Sequence, residues 1–222
     1  GLSSDPAMNW QVPELDTRSI VSFSDAHSMQ KMGRELTVFD GDLTYDGLAD
    51  ALRTQNIAYT TEFFPEEGKY HHSGHRKCGV SLTPDEVAAN GPRCPVCGRP
   101  LTLGVMQRVA ELGSRHVASR LDDDGFVRSD NGRPPYKRLV ALSEILSEAL
   151  EVGVNTKRVR VQYERLVSEV GNELAVLMDA PVSDIAAISG ERVAEGVARV
   201  RTGDISIEPG YDGRYGTVKV WP

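Results

Sequence analysis

Residues 75–98 read His75-Arg-Lys-Cys78-Gly-Val-Ser-Leu-Thr-Pro-Asp-Glu-Val-Ala-Ala-Asn-Gly-Pro-Arg-Cys94-Pro-Val-Cys97-Gly98. All three cysteines of the 222-residue chain lie in this stretch. Zinc takes four nitrogen or sulfur ligands in a tetrahedron, commonly as two close pairs from two turns. The Cys94-Pro-Val-Cys97-Gly98 turn places two sulfurs on one side of a tight loop. The other half would ordinarily be a second Cys-x-x-Cys, but the residue three after Cys78 is Ser81. His75, three before Cys78, has suitable spacing and chemistry. The pattern predicts a structural Cys3His zinc site of His75, Cys78, Cys94 and Cys97, with His71 or His72 as alternative fourth ligands. Between the two halves, Thr83, Pro84 and Glu86 form a capping box with proline at the first helical position, and Asn90-Gly91 supplies the stop.

Working outward, composition bounds the rest. The chain is 40% apolar and 26% charged, as soluble globular proteins are. It has no apolar run of the roughly 18 residues that a membrane span needs. No basic-then-apolar leader opens it. Membrane insertion and a secreted disulfide scaffold are set aside, and the expected location is cytoplasmic. The net charge of −7 is unevenly placed. Residues 1–68 carry 4 Lys+Arg and 12 Asp+Glu, residues 69–120 carry 8 and 3, and residues 121–222 carry 13 and 17. A basic segment within an acidic chain suits a phosphate-bearing partner only where its charges share a face.

Upstream, Arg18–Phe23 reads as a short buried strand running into Ser24-Asp25-Ala26-His27. In extended geometry Asp25 and His27 point to one side and can hold a divalent metal that activates water. A helix is expected over Thr44–Gln55, a strand over Ile57–Phe64 and a helix over Val105–Leu112. The stretch Lys69-Tyr70-His71-His72-Ser73-Gly74-His75-Arg76-Lys77 interleaves aromatics, histidines and cations, as sites that hold a phosphate and stack a base do. Lys69, Tyr70, His71, Arg76 and Lys77 are therefore DNA-contact candidates.

Downstream, the polar residues 121–136 read as a linker or loop. Apolar stripes at Leu142, Ile145, Leu146, Ala149 and Leu150, at Val159, Tyr163, Leu166, Val167 and Val170, and at Val193, Val197 and Val200 predict helices. The cluster Lys157, Arg158 and Arg160 is offset by Glu164 and Glu169 and reads as a solvated face. Residues 205–207 and 217–220 alternate like a hairpin around Pro209-Gly210-Tyr211-Asp212-Gly213.

Gly1-Leu-Ser-Ser-Asp-Pro-x-Met-Asn-Trp10, Ser24-Asp-Ala-His27, Glu62-Phe-Phe-Pro-Glu-Glu-Gly-Lys-Tyr-His71, Gly74-His-Arg-Lys-Cys-Gly79, Cys94-Pro-Val-Cys-Gly98, Arg133-Pro-Pro-Tyr-Lys137 and Gly210-Tyr-Asp-Gly-x-Tyr-Gly216 together resemble endonuclease Q. The resemblance runs nearly end to end. It implies a metal-dependent PHP (polymerase and histidinol phosphatase) domain, a zinc-binding segment and a helical C-terminal region. It further implies nicking of DNA 5′ to deaminated bases or at abasic sites. The H-x-H and other early metal ligands of that family have no counterpart here, so the chain matches its C-terminal portion.

Under the resemblance, Asp25 and His27 are the family's last metal-ligand pair, for Zn, Mg or Mn, and His75, Cys78, Cys94 and Cys97 match its zinc site. Ser3, Ser4, Met8 and Asn9 fall in a motif beside the damaged-base pocket, and Lys137 and Arg138 join the DNA-contact candidates. The expected fold is α+β. A partial, mostly parallel β/α PHP-barrel remnant (1–68) leads to a zinc-knuckle segment (69–120), a linker (121–136) and a helical C-terminal domain closed by a hairpin (137–222). The barrel remnant would need the missing N-terminal PHP portion or a homodimer partner to cover its edge. A competing reading is a non-catalytic zinc-ribbon module that binds DNA or a partner protein. A small-molecule phosphoesterase ranks last, because no phosphate pocket is evident.

Overall fold

Helix α1 (Pro6–Trp10) starts where Asp5 accepts a hydrogen bond from the Met8 amide at 2.9 Å. The Asp5 carboxylate also accepts one from the Tyr136 hydroxyl at 3.0 Å, and the Trp10 and Tyr136 rings meet edge to face. The computed structural model describes residues 3–222. They form two compact units: one from the described residues of Gly1–Asp122 with Phe126–Lys137 and Ile207–Val218, the other from Asp123–Gly125, Arg138–Ser206 and Lys219–Pro222.

The first unit is built on a sheet of β1 (Leu36–Phe39), β2 (Ile57–Glu62), β5 (Ser119–Leu121), β6 (Val127–Ser129) and β7 (Tyr136–Arg138), in the order β1-β2-β7-β6-β5. A two-stranded piece, β3 (Ser73–His75) with β4 (Val80–Leu82), carries the zinc-motif segment. Helix α2 (Tyr45–Thr54) joins β1 to β2. Thr44 caps its start and Gln55, at φ +60°, ends it in the left-handed conformation. Helix α3 (Pro84–Asn90) has both halves of the expected capping box. Helix α4 (Val105–Leu112) coincides with the expected span.

Three expectations are corrected here. Arg18–Phe23 is not a strand: only Ser22 is buried and Phe23 is exposed. The Thr37 hydroxyl takes the place of a neighbouring strand's backbone, accepting from the Ser22 amide at 2.8 Å and donating to the Ser22 carbonyl at 2.9 Å. The sheet is not a mostly parallel remnant, since β1–β2, β5–β6 and β6–β7 all pair antiparallel. The stretch read as a linker contains β6 and reaches β7. Its Asp and Gly residues build the turn of a hairpin, closed by the Phe126 amide donating to Asp122 at 2.7 Å.

The second unit packs α5 (Leu142–Ala149), α6 (Lys157–Val170), α7 (Glu173–Met178), α8 (Val182–Ser189) and α9 (Glu191–Thr202) around Leu142, Ile145, Leu146, Leu166, Val176, Ile185 and Val197, each fully buried. The three expected stripes are α5, α6 and α9. Helices α7 and α8 had no stripe long enough to declare them. Glu173 ties the bundle together, accepting from the Leu142 amide at the start of α5 and from the Tyr163 hydroxyl on α6, both at 2.8 Å. Strands β8 (Ser206–Glu208) and β9 (Thr217–Lys219) form the expected hairpin. Among the described residues, no helix is long and apolar enough to cross a membrane.

Candidate functional site

His75 ends β3, and one short turn later, over Arg76–Cys78, comes the first sulfur. Gly79 follows at φ +66°, a conformation that reverses the chain into β4 at no steric cost to glycine. After α3, Cys94 and Cys97 sit on a tight loop. The Cys94 amide donates to the Arg99 carbonyl and the Gly98 amide donates to the Cys94 carbonyl, both at 2.8 Å. The ligand atoms of His75, Cys78, Cys94 and Cys97 all lie within 4.8 Å of one another. A tetrahedral zinc with bonds of about 2.0–2.3 Å needs ligand separations of about 3.3–3.8 Å, so a small contraction closes the site.

Of the three candidate histidines, His75 is the one grouped with the sulfurs, in a set that could hold a metal ion. His75 Nδ1 faces the Cys97 sulfur at 3.5 Å. For Cys94, burial works against the thiolate, but the Cys97 and Val96 amides aimed at its sulfur outweigh it and bring the thiol down to about 6. Burial, then the neighbouring Cys97 and Cys94 sulfurs, pushes the Cys78 thiol up to about 11. Three thiols this close cannot all ionise without a cation among them. Cys94 and Leu101 are buried with Val87 in a small core under this cluster.

His71 and His72 stand outside the group. His72 Nδ1 lies 3.4 Å from the Ser81 hydroxyl, and desolvation lowers the pKa of both rings. His71 is buried, and its Nδ1 has no hydrogen-bond partner among the described residues. The stretch 66–72 is held from two sides. The Tyr70 and His71 carbonyls accept from the first amides of α4, at Val105 (2.8 Å) and Met106 (3.1 Å). Those are donors that a helix start otherwise leaves unpaired.

From the other side, the loop Pro209–Gly216 runs along the same stretch. Gly210 donates to Glu66 (2.8 Å), His72 to Gly210 (2.9 Å), Gly213 to Lys69 (2.9 Å) and Gly216 to Glu67 (3.0 Å). A Cβ at Gly216 would sit 2.1 Å from the Glu66 carbonyl oxygen, so only glycine permits this approach. The closure brings Tyr215 beside Lys69, whose ammonium lies 5.7 Å from the Tyr70 ring centre and 5.6 Å from that of Tyr215. A cavity of about 290 Å³ opens here, lined by Ser3, Lys69, Tyr70, His71, Val105 and Tyr215, among others.

The other expected residues fall differently. Of the base-pocket group, Ser3 lines the cavity. Met8 is buried in the core, and Asn9 donates to the Asp5 carbonyl at 2.7 Å and to Ser4 Oγ at 3.5 Å. Arg76 and Lys77 are exposed beside the cysteine cluster. Lys137 is 3% exposed, with its ammonium 4.6 Å from the Phe126 ring centre, so it presents no charge to a surface. Arg138 is half-buried at the end of β7.

Asp25 is exposed at φ +45°, so the extended geometry that would aim Asp25 and His27 alike is broken. His27 Nδ1 lies 2.8 Å from the Asp25 carbonyl oxygen. A carbonyl only accepts, which places a proton on Nδ1 and leaves Nε2 as the ring nitrogen not engaged by this contact. Among the described residues, no group of three or more ligating side chains includes this pair. Tyr215, Asp212 and the carboxyl pair Glu35 and Glu62 were missed in the sequence. The Gly210–Gly216 motif was the one signal that pointed to the first two.

Residues 141–204 match the family model of the MJ0043 C-terminal domain. Among curated relatives, the protein MJ0043 of Methanocaldococcus jannaschii is 31% identical over all of this chain and 28% of its own length. YqxK of Bacillus subtilis is 30% identical over 99% of this chain and 51% of its own. Among solved structures, the lesion-specific endonuclease PfuEndoQ of Pyrococcus furiosus superposes with a TM-score of 0.81 at 31% identity, covering 99% of this chain and 53% of that one. Endonuclease Q in complex with a 27-mer duplex carrying an abasic lesion at the active site gives 0.78 at 30% identity, covering 100% and 54%. The chain thus spans about half the length of the endonuclease Q structures and of YqxK, about a quarter of MJ0043, and is similar over its whole extent to part of a lesion-specific DNA endonuclease.

Proposed function

We propose that this chain is the C-terminal portion of a DNA-repair endonuclease resembling endonuclease Q, which nicks DNA 5′ to deaminated bases or at abasic sites. The observation that carries the reading is the likeness to the two endonuclease Q structures over 99–100% of the chain, one of them bound to a lesion-bearing duplex. In this reading His75, Cys78, Cys94 and Cys97 hold a structural zinc, because four protein ligands leave no open position. Asp25 and His27 contribute two ligands to a catalytic divalent metal (Zn, Mg or Mn). The remaining ligands come from the part of the longer relatives that the chain does not match, or from a second copy. The chain by itself is then inactive.

A divalent metal supplies a bound water of lowered pKa for attack on the phosphodiester. The chain's own residues do the holding. Arg76 and Lys77 meet phosphates beside the zinc segment, and contacts of this kind position a duplex without reading its sequence. Lys69, Tyr70 and Tyr215 surround a cavity whose size suits one base turned out of the stack, with His71 at its buried wall and Ser3 at its rim.

The test is a nicking assay on duplexes containing uracil, hypoxanthine or an abasic site, with this chain supplied together with the N-terminal half of a longer relative. Lesion-dependent nicking that D25N and H27N abolish supports the reading. Cleavage indifferent to both substitutions rejects the metal role. Duplex binding without any cleavage turns the assignment toward a non-catalytic zinc module.

A further inference from the structure

Buried groups with no role in the reading above fasten the segment that leads into Asp25 and His27. Ser22 is 1% exposed, Glu35 3% and Glu62 2%. Thr37 on β1 grips the Ser22 amide and carbonyl, and two residues on the Arg34 guanidinium donates from Nε to the Ser24 carbonyl at 2.9 Å. Between these two grips, Ser22 Oγ lies 3.1 Å from Glu35 Oε2 and 2.9 Å from Glu62 Oε2.

A hydroxyl has one hydrogen and so donates once. It satisfies one carboxylate. The second oxygen at hydrogen-bond distance must itself carry a proton and donate to Oγ. Two ionised carboxylates would leave one oxygen–oxygen contact with no hydrogen in it, at a site closed to solvent, where an unpaired charge is costly. The surroundings decide which partner is ionised. Glu35 accepts from the Phe63 amide and has the Arg34 guanidinium beside it. Among the described residues, the hydrogen-bond partners of Glu62 are neutral, the hydroxyls of Ser22 and, on its other oxygen, Thr60.

We propose that Glu35 and Glu62 share a single proton through the Ser22 hydroxyl, and that this buried Glu62–Ser22–Glu35 chain positions the turn carrying Asp25 and His27. Desolvation, which raises the pKa of both carboxyls and brings that of Glu62 to about 7, acts in the same direction. The three side chains are positioning residues. They join the segment before Asp25 to β2 and to the residue preceding β1, and so oppose relaxation of the left-handed backbone at Asp25. The consequence for a metal rests on the reading of Asp25 and His27 as ligands; the shared proton and the fastening do not.

The experiment uses the 222-residue chain as purified, with no metal added. Infrared spectroscopy at pH 6 reads the carbonyl stretch of a protonated carboxyl, and nuclear magnetic resonance reads the Asp25 amide and the His27 ring. The expected result is a buried-acid band in the wild type that is lost in E62Q. The amide of E62Q replaces the acid O–H as donor, so the Asp25 and His27 signals stay in place. S22A, which removes the bridge, moves both signals; should S22A fail to fold, E62L, which cuts only the link to β2, makes the same comparison. A wild type with no acid band at pH 6 overturns the shared proton. Asp25 and His27 signals unmoved by S22A or E62L overturn the positioning role. No metal or DNA is added, so neither outcome depends on whether Asp25 and His27 bind a metal.

Discussion

Asp212 accepts a hydrogen bond from the backbone amide of Arg76 at 2.6 Å, across 136 residues of sequence, in the turn between His75 and Cys78. Its other oxygen accepts from the Thr102 hydroxyl at 2.6 Å. These bonds, the Thr102 hydroxyl before the Arg76 amide, hold the Asp212 carboxyl below the usual carboxylate range. The C-terminal loop therefore fixes the spacing of two members of the cysteine cluster. Partners that orient metal ligands in this way are worth about 10–100-fold in metal affinity. D212A is expected to release metal on the order of tenfold faster to a competing chelator, and D212N less so. An unchanged release rate in D212A would show that the loop does not steady the site.

The four-ligand cluster predicts about one zinc per chain by elemental analysis, and its loss on replacing Cys94 and Cys97 by serine. Cys94 is also part of the small core with Val87 and Leu101. Chelation should therefore lower the melting temperature as well as strip the metal. A chain that holds no zinc and melts identically with and without chelator would refute the assignment.

The carboxyl pair gives stability a defined pH dependence. Glu62 keeps its proton in the folded chain up to about pH 7, against an ordinary value of 4.5. Between those values the folded state binds the extra proton, so this contribution is complete below pH 4.5 and is lost as pH rises toward 7. The slope is at most about 1.4 kcal/mol per pH unit. Urea unfolding of wild type and E62Q at pH 5 and pH 8 checks this. The wild type should lose stability relative to E62Q at the higher pH, and parallel curves would show that Glu62 is ionised throughout.

In the helical unit, E173A removes the acceptor for both the Leu142 amide and the Tyr163 hydroxyl. The cost should be about 1.5–3 kcal/mol, as for hydrogen bonds to a charged group. Burial, followed by the Glu173 carboxylate, raises the Tyr163 hydroxyl to about 12. Spectrophotometric titration of E173A should find it lowered toward the ordinary tyrosine range, whereas a purely packing role for Glu173 would leave it in place.

The sequence by itself determined what local chemistry writes. The Thr83-Pro84-Asp85-Glu86 cap, the three stripes that became α5, α6 and α9, and the Cys94–Cys97 pair are each set by neighbours within a few turns of chain, whereas the choice among His71, His72 and His75 was made only when folding put His75 beside the sulfurs. Their spacing is readable because helices and knuckles repeat over short intervals.

The tertiary structure alone decided the rest, because each remaining feature joins residues far apart in sequence. Arg18–Phe23 has a strand's composition, but Thr37 takes up the Ser22 backbone groups and leaves the segment outside the sheet. Lys137, a DNA-contact candidate in the sequence, is buried with its ammonium over the Phe126 ring. Asp212 meets the cysteine-bearing segment through its own carboxylate, on the Arg76 amide and the Thr102 hydroxyl, and Tyr215 comes beside Lys69 through the backbone bonds of its loop to residues 66–72. Glu35 and Glu62, 27 positions apart, became a pair only when folding closed both around one hydroxyl. Burial turns such encounters into chemistry, and no local pattern reports which side chains will be buried together.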